Sequence, residues 1–155
     1  QKKFKSKVNF LDEYSVAHVR RGDKVKGAWK EGHYHELSEY LKSLNEPYEN
    51  IFVMTDSPDV AKEAKELGCM IDETEERRDG YIYKFYKENC YTEDDIEDEL
   101  KIFFKNMSIF KNANKLVGSN ASFYYVLGQL LNGKKGISLS DNIHYSHTLN
   151  KHWND

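Results

Sequence analysis

The sequence has no stretch approaching the ~20 apolar residues of a membrane span, and no apolar segment follows the basic start Gln1-Lys2-Lys3. Neither a transmembrane helix nor a signal peptide is therefore expected within it. The first residue is not Met, so the chain reads as an excised or processed piece whose upstream targeting segment, if there is one, is out of sight. Cysteine is scarce. Cys69 and Cys90 are too few for a disulfide framework and lack the spacing of a metal site. Positive charge is not in excess either: Lys+Arg 23 against Asp+Glu 26 gives a net charge of -3, so no global basic field draws in nucleic acid. Any anion site must be a local concentration of positive charge. His144, His147 and His152 fall in the last residues but match no zinc spacing, and a polar tail is expected there.

What is present suffices for a fold. A chain of 155 residues is the size of one domain with a real core. Eleven tyrosines and eight phenylalanines supply that core despite a charged fraction of 32%, which argues against disorder. A single domain, residues 1–155, is expected. Two sequons, Asn106-Met107-Ser108 and Asn120-Ala121-Ser122, would be glycan acceptors in a secretory lumen. Both fall in what reads as a packed helix or a ligand loop, which favours a cytoplasmic location.

In chain order, residues 1–13 carry no clear period and form a lead-in. Tyr14 to Arg20 then reads as a buried strand, with Val16, Ala17 and Val19 suited to cover on both faces. After a polar loop, Tyr34, Leu37, Tyr40, Leu41 and Leu44 recur at helical spacing, ended by Pro47. Asn50 to Thr55 is a second buried strand. Ser57 as N-cap, Pro58 at the first helical position and Asp59 in the first turn start the next helix, which Gly68 stops. Cys69-Met70-Ile71 reads as a short third strand, and Asp72 to Tyr91 as an irregular excursion. Asp94 and Asp95 open a long helix, acid-first as the macrodipole prefers, with a core face of Ile96, Leu100, Phe103, Phe104, Met107 and Phe110. Lys115 to Gly118 is a fourth strand, Phe123 to Leu131 an apolar helix ended by Asn132-Gly133, and Gly136 to Leu139 a fifth strand.

Strands alternating with helices imply a doubly wound α/β fold, an αβα sandwich around a parallel sheet of about five strands with right-handed crossovers. The usual order, 3-2-1-4-5, sets the first and fourth strands side by side, and their carboxyl-end loops meet at the topological switch point. One loop carries Arg20, Arg21, Asp23 and Lys24, just past the strand that holds His18. The other carries Ser119, Asn120 and Ser122 at a helix N-terminus, where N–H groups and the dipole favour an anion. Paired guanidiniums offer forks of donors that match a diphosphate. Taken alone, Arg-Arg-Gly-Asp is equally a solvated turn with a local ion pair; the convergence of the two loops favours the phosphate site. An adhesion role for Arg21-Gly22-Asp23 is disfavoured, because the tripeptide continues a hydrophobic strand. A receiver-like domain is disfavoured too, since its first strand would end in clustered acids.

His18-Val19-Arg20-Arg21-Gly22-Asp23 resembles the HxRRxD signature of the GDP-fucose-dependent fucosyltransferases with a GT-B fold, which include the α-1,2-, α-1,6- and protein O-fucosyltransferases. Ile51 to Asp56 followed by Ser57-Pro58 is similar to that group's second segment, and Leu116 to Phe123 with the apolar helix behind it to the third. Three segments in order, over roughly residues 14–139, are more specific than one six-residue match. The resemblance implies a Rossmann-like donor half that binds GDP-fucose without a metal ion. It implies that Arg20 holds the diphosphate, that Arg21 contacts phosphate or orders the loop, that Ser122 binds phosphate, and that His18 lies near the nucleotide. Asp23, Lys24 and Asp56 would organise the site, so Arg20, Asp23 and Lys24 form the expected catalytic group. His18, Arg20, Arg21, Asp56, Asn106, Ser119, Asn120 and Ser122 form the expected substrate-binding set.

Two departures stand out. Asn106 occupies the place of a guanine-reading aspartate, and an amide cannot supply two equivalent acceptors to the guanine edge. An acceptor-side domain, which a GT-B enzyme needs, is absent from these residues. Glu31 lies in the loop region where a base would be sought, but no motif fixes it. The resulting expectation is a fucosyltransferase-like domain transferring fucose from GDP-fucose to a glycan or glycoconjugate hydroxyl, with no nucleic-acid partner and no cofactor. The alternative is a non-catalytic nucleotide or phosphosugar binding module.

Overall fold

The computed structural model describes residues 13–21, 35–74 and 92–139. The lead-in, the loop after Arg21, most of the charged excursion before Thr92 and the tail from Ser140 lie outside them. The expected buried strand is present as β1, Ser15–Val19, buried at every position. It pairs in parallel with β2, Ile51–Thr55, in a register running from Ser15 opposite Ile51 to Val19 opposite Thr55. On its other side lies β3, Leu116–Gly118, with Val16 opposite Leu116 and Ala17 opposite Val117. Next to β3 runs β4, Ile137–Ser138, also parallel. The sheet order β2-β1-β3-β4 is the doubly wound α/β arrangement with β1 and β3 adjacent at its centre.

Among the described residues the sheet has four strands rather than about five. Met70, in the expected third strand, forms a lone parallel bridge with Phe52, made by Met70 N–H to Ile51 C=O at 2.9 Å and Val53 N–H to Met70 C=O at 2.8 Å. Two bonds do not extend into a ladder, and the segment stays a stub on the outer edge of β2, in the place the expected order gave it.

Among the described residues four helices cover the sheet: α1 Leu37–Leu44, α2 Pro58–Glu66, α3 Glu93–Lys111 and α4 Phe123–Asn132. Because successive strand side chains point to opposite faces, Ala17, Val19 and Val53 pack with Leu37, Leu41 and Leu44 of α1 and Val60 and Ala64 of α2. Val16, Phe52 and Met54 pack on the other face with Met107 and Phe110 of α3 and Tyr125 of α4. Helix boundaries follow local chemistry. Ser57 Oγ accepts the Val60 N–H at 3.3 Å with Pro58 opening α2. Thr92 and Asp95 form a reciprocal box at the start of α3, 3.2 Å and 2.9 Å. Asn45 and Gly133 close α1 and α4 in the left-handed conformation, φ 51° and 79°.

The expected core face of α3 needs correcting. Ile96, Leu100 and Phe104 are 49%, 50% and 64% exposed, whereas its buried residues begin only at Asn106. At 1.5 Å per residue α3 is about 28 Å long, while a five-residue strand spans about 17 Å. The helix is longer than any described strand, and among the described residues no strand runs on to cover its first turns. Among the described residues no helix is long and apolar enough to cross a membrane.

Candidate functional site

The carboxyl end of β1 is wired to its neighbours through Arg21. Its backbone N–H donates to Asp56 Oδ1 at 2.8 Å, just past the end of β2 and where the β1–β2 register leads. Its guanidinium, in a residue only 8% exposed, donates from Nη2 to the His35 carbonyl. Arg21 thus ties the carboxyl end of β1 to the segment entering α1, and Asp56 anchors the same residue from the end of β2. Arg20, one residue earlier, is exposed at the sheet edge. Asp23, Lys24 and Glu31 lie outside the described residues.

The loop after β3 is a compact turn held by its own polar groups. Ser119 accepts twice, the Ser122 N–H on its carbonyl at 2.9 Å and the Ala121 N–H on Oγ at 3.2 Å. Asn120 donates its N–H to Ser138 Oγ at 3.0 Å. Its Oδ1 accepts from the fully buried Gln129 at 2.9 Å, and Gln129 Oε1 accepts the Gly136 N–H at 2.9 Å. Asn120 therefore fastens the loop to α4 and the edge strand. Ser122 is the exception in this turn. It is the N-cap of α4, a position whose hydroxyl ordinarily accepts a first-turn N–H, yet its side chain makes no capping bond. Its Oγ is buried without a hydrogen-bond partner, in a residue 5% exposed.

Behind the edge, His18 sits on the α3–α4 face, its ring stacked on Tyr124 with centroids 5.5 Å apart and planes 13° apart. It also lies parallel to Tyr125 at 6.1 Å and tilted on Phe110 at 5.9 Å. Burial, aided by the nearby Arg20 charge, pushes the imidazole down to about 3, so His18 is neutral at physiological pH. Asn106 of α3 donates from Nδ2 to Tyr124 Oη at 2.9 Å, which holds the amide while its buried Oδ1 has no partner. Tyr125 is the wedge of this face. It is fully buried, donates to the Ile137 carbonyl at 2.7 Å, and lies so close to Gly118 that a Cβ there would meet its ring at 2.6 Å.

The described candidates therefore fall into three groups along one sheet edge: Arg20, Arg21 and Asp56; Ser119, Asn120 and Ser122; and His18 with Asn106 beneath. Extending the β1–β3 register aligns Val19 with Ser119, which brings the first two groups to adjacent strand ends. Among the described residues no cluster of three or more His, Cys, Asp or Glu side chains could hold a metal ion. Residue reasoning missed Tyr124, Gln129 and His35. Only the four-residue spacing of His35 and Glu39 at the start of a helical period could have drawn notice.

A hydroxyl without a partner at a helix N-terminus and an exposed arginine at the neighbouring strand end suit an anion. The chain matches no protein-family model, no curated protein and no solved structure.

Proposed function

We propose that this domain binds GDP-fucose at the carboxyl edge of β1 and β3, as the donor half of a metal-independent glycosyltransferase that passes fucose to a glycan hydroxyl. The observation that carries the reading is Ser122 Oγ, buried and without a partner at the N-terminus of α4. A buried polar atom without a bond costs about 1–3 kcal/mol. A phosphate oxygen accepting from that hydroxyl, at the positive end of a ten-residue helix, would recover it. Arg20 supplies the charge that a leaving diphosphate needs, and the acceptor side would come from another domain. Asn106 and Asn120 are 4% and 6% exposed, which supports the cytoplasmic reading over glycan attachment at either sequon.

Isothermal titration with GDP, GDP-fucose, UDP and ADP tests this. GDP and GDP-fucose should bind, with UDP and ADP at least tenfold weaker. Equal affinity for all four would leave a phosphate site without guanine selection, and no heat with any of them would remove the donor-site reading.

A further inference from the structure

Ile96, Leu100 and Phe104 follow one another at four-residue spacing along α3, so they form one row on its surface. They are 49%, 50% and 64% exposed. Phe103, beside the last of them, meets Tyr124 edge-on with centroids 5.6 Å apart, and Phe123, which opens α4, is 60% exposed. A fourth large apolar side chain thus lies at the same end of the α3–α4 layer. Single exposed apolar residues are ordinary, but a group of this size marks an interaction surface. The neighbouring row says what covers it. One position further along the helix from each member stand Glu97, Lys101 and Lys105, preceded by Glu93, which makes two carboxylates followed by two ammoniums. Glu97 and Lys101 have side chains 66% and 50% exposed and lie 3.3 Å apart, while Lys105 is tied to the buried Asp72. A row whose charge reverses halfway along is complementary to itself when turned end to end.

We propose that this face of α3 pairs with the same face of a second copy of the chain, antiparallel about a two-fold axis at Leu100. Such an isologous contact sets Ile96 of one copy against Phe104 of the other, and Leu100 against Leu100. The same flank of each helix then faces its copy with direction reversed, so Glu97 comes beside Lys101 of the second copy, and this pair occurs twice. The apolar row drives the association, and the facing charges fix its register, as charged positions beside an apolar seam do between paired helices. On the opposite flank Glu99 comes near Glu99 across the axis, which keeps the association modest. A uniformly basic partner would answer Glu93 and Glu97 but meet Lys101 with like charge, so the reversal favours the second copy. The inference is independent of whether a nucleotide binds at the Ser122 and Arg20 edge.

Sedimentation velocity of the whole chain over a concentration series tests this. The parent should pass from monomer to dimer as its concentration rises. Leu100→Ser, which removes a contact from both copies at once, should weaken the dimer by about tenfold or more, with the melting profile of the monomer unchanged because the side chain is exposed there. Glu97→Lys and Lys101→Glu should each weaken it, since each alone sets like charges face to face. An equimolar mixture of those two variants should associate about as tightly as the parent, because each then supplies the charge the other lacks. That restoration excludes a general loss of folding, and neither a basic partner nor a separate domain would produce it. If Leu100→Ser fails to fold, Leu100→Ala carries the comparison. A parent that stays monomeric up to about 1 mM would overturn the proposal and leave the row to a different protein or domain. A dimer indifferent to Leu100→Ser would place the interface elsewhere and overturn it too, as would a mixture no tighter than either variant alone.

Discussion

Lowering the pH from about 7.5 to about 5 should cost the folded domain about 2 kcal/mol through His18 alone. In the fold burial and Arg20 depress its pKa to about 3, against 6.5 in the unfolded chain. Between these values the unfolded state binds the extra proton, so stability is complete above the unfolded pKa and falls as the pH drops through it. The slope is about 1.4 kcal/mol per pH unit. At about pH 5 some 1.5 units of the window have been crossed, hence the figure of about 2 kcal/mol. Urea unfolding at the two pH values measures the loss, but other groups titrate as well, so the quantity of interest is a difference. His18→Phe keeps a ring against Tyr124 and removes the titration. Its own loss between the two pH values should be smaller than the parent's by about 2 kcal/mol, whatever its baseline stability. Equal losses in parent and variant would refute the buried neutral imidazole.

Arg20→Ala should weaken GDP binding by about 2–5 kcal/mol and Arg20→Lys by less, with melting unchanged in calorimetry; Lys134→Ala, beyond the far end of α4, should change neither. Gly118→Ala drives a methyl into the Tyr125 ring at 2.6 Å and should destabilise by about 1–3 kcal/mol in urea titration, since neither the sheet nor the buried ring can move aside cheaply. Ser57→Ala removes the N-cap bond of α2 and should cost about 1 kcal/mol by the same assay. A chelator should leave nucleotide binding intact, because guanidinium charge can neutralise the diphosphate; a strict divalent-ion requirement in calorimetry would contradict this.

The strand order was legible because the signals behind it are local. Val16, Ala17 and Val19 form a continuous apolar run, Ser57-Pro58 and Asn132-Gly133 are capping chemistry, and alternation of strand and helix dictates parallel pairing. The exposed stripe on α3 was misread for a physical reason. Periodicity marks which face of a helix is apolar, while the length of sheet available to cover it depends on strands elsewhere in the chain. The stub at Met70 was misread likewise, since three apolar residues do not say how many ladder bonds will form. At the site, residue type marked Arg20, Arg21 and Ser122. The bond from Arg21 to a backbone carbonyl fourteen residues away left no trace in side-chain identity, because any residue at position 35 has that carbonyl.

The fastening of the loop after β3 has a consequence for motion. Asn120 and Gln129 join the turn to the Gly136 N–H, and Tyr125 grips the Ile137 carbonyl. An edge strand of two residues would ordinarily fray, since local opening follows the density of buried contacts. Here it opens only if α4 and the loop let go with it. Amide hydrogen exchange at Gly136 should therefore keep pace with that of α4, slower than its place at the rim suggests. An anion seated on Ser122 would slow it further, so occupancy of the site becomes readable from a backbone amide that the ligand never touches.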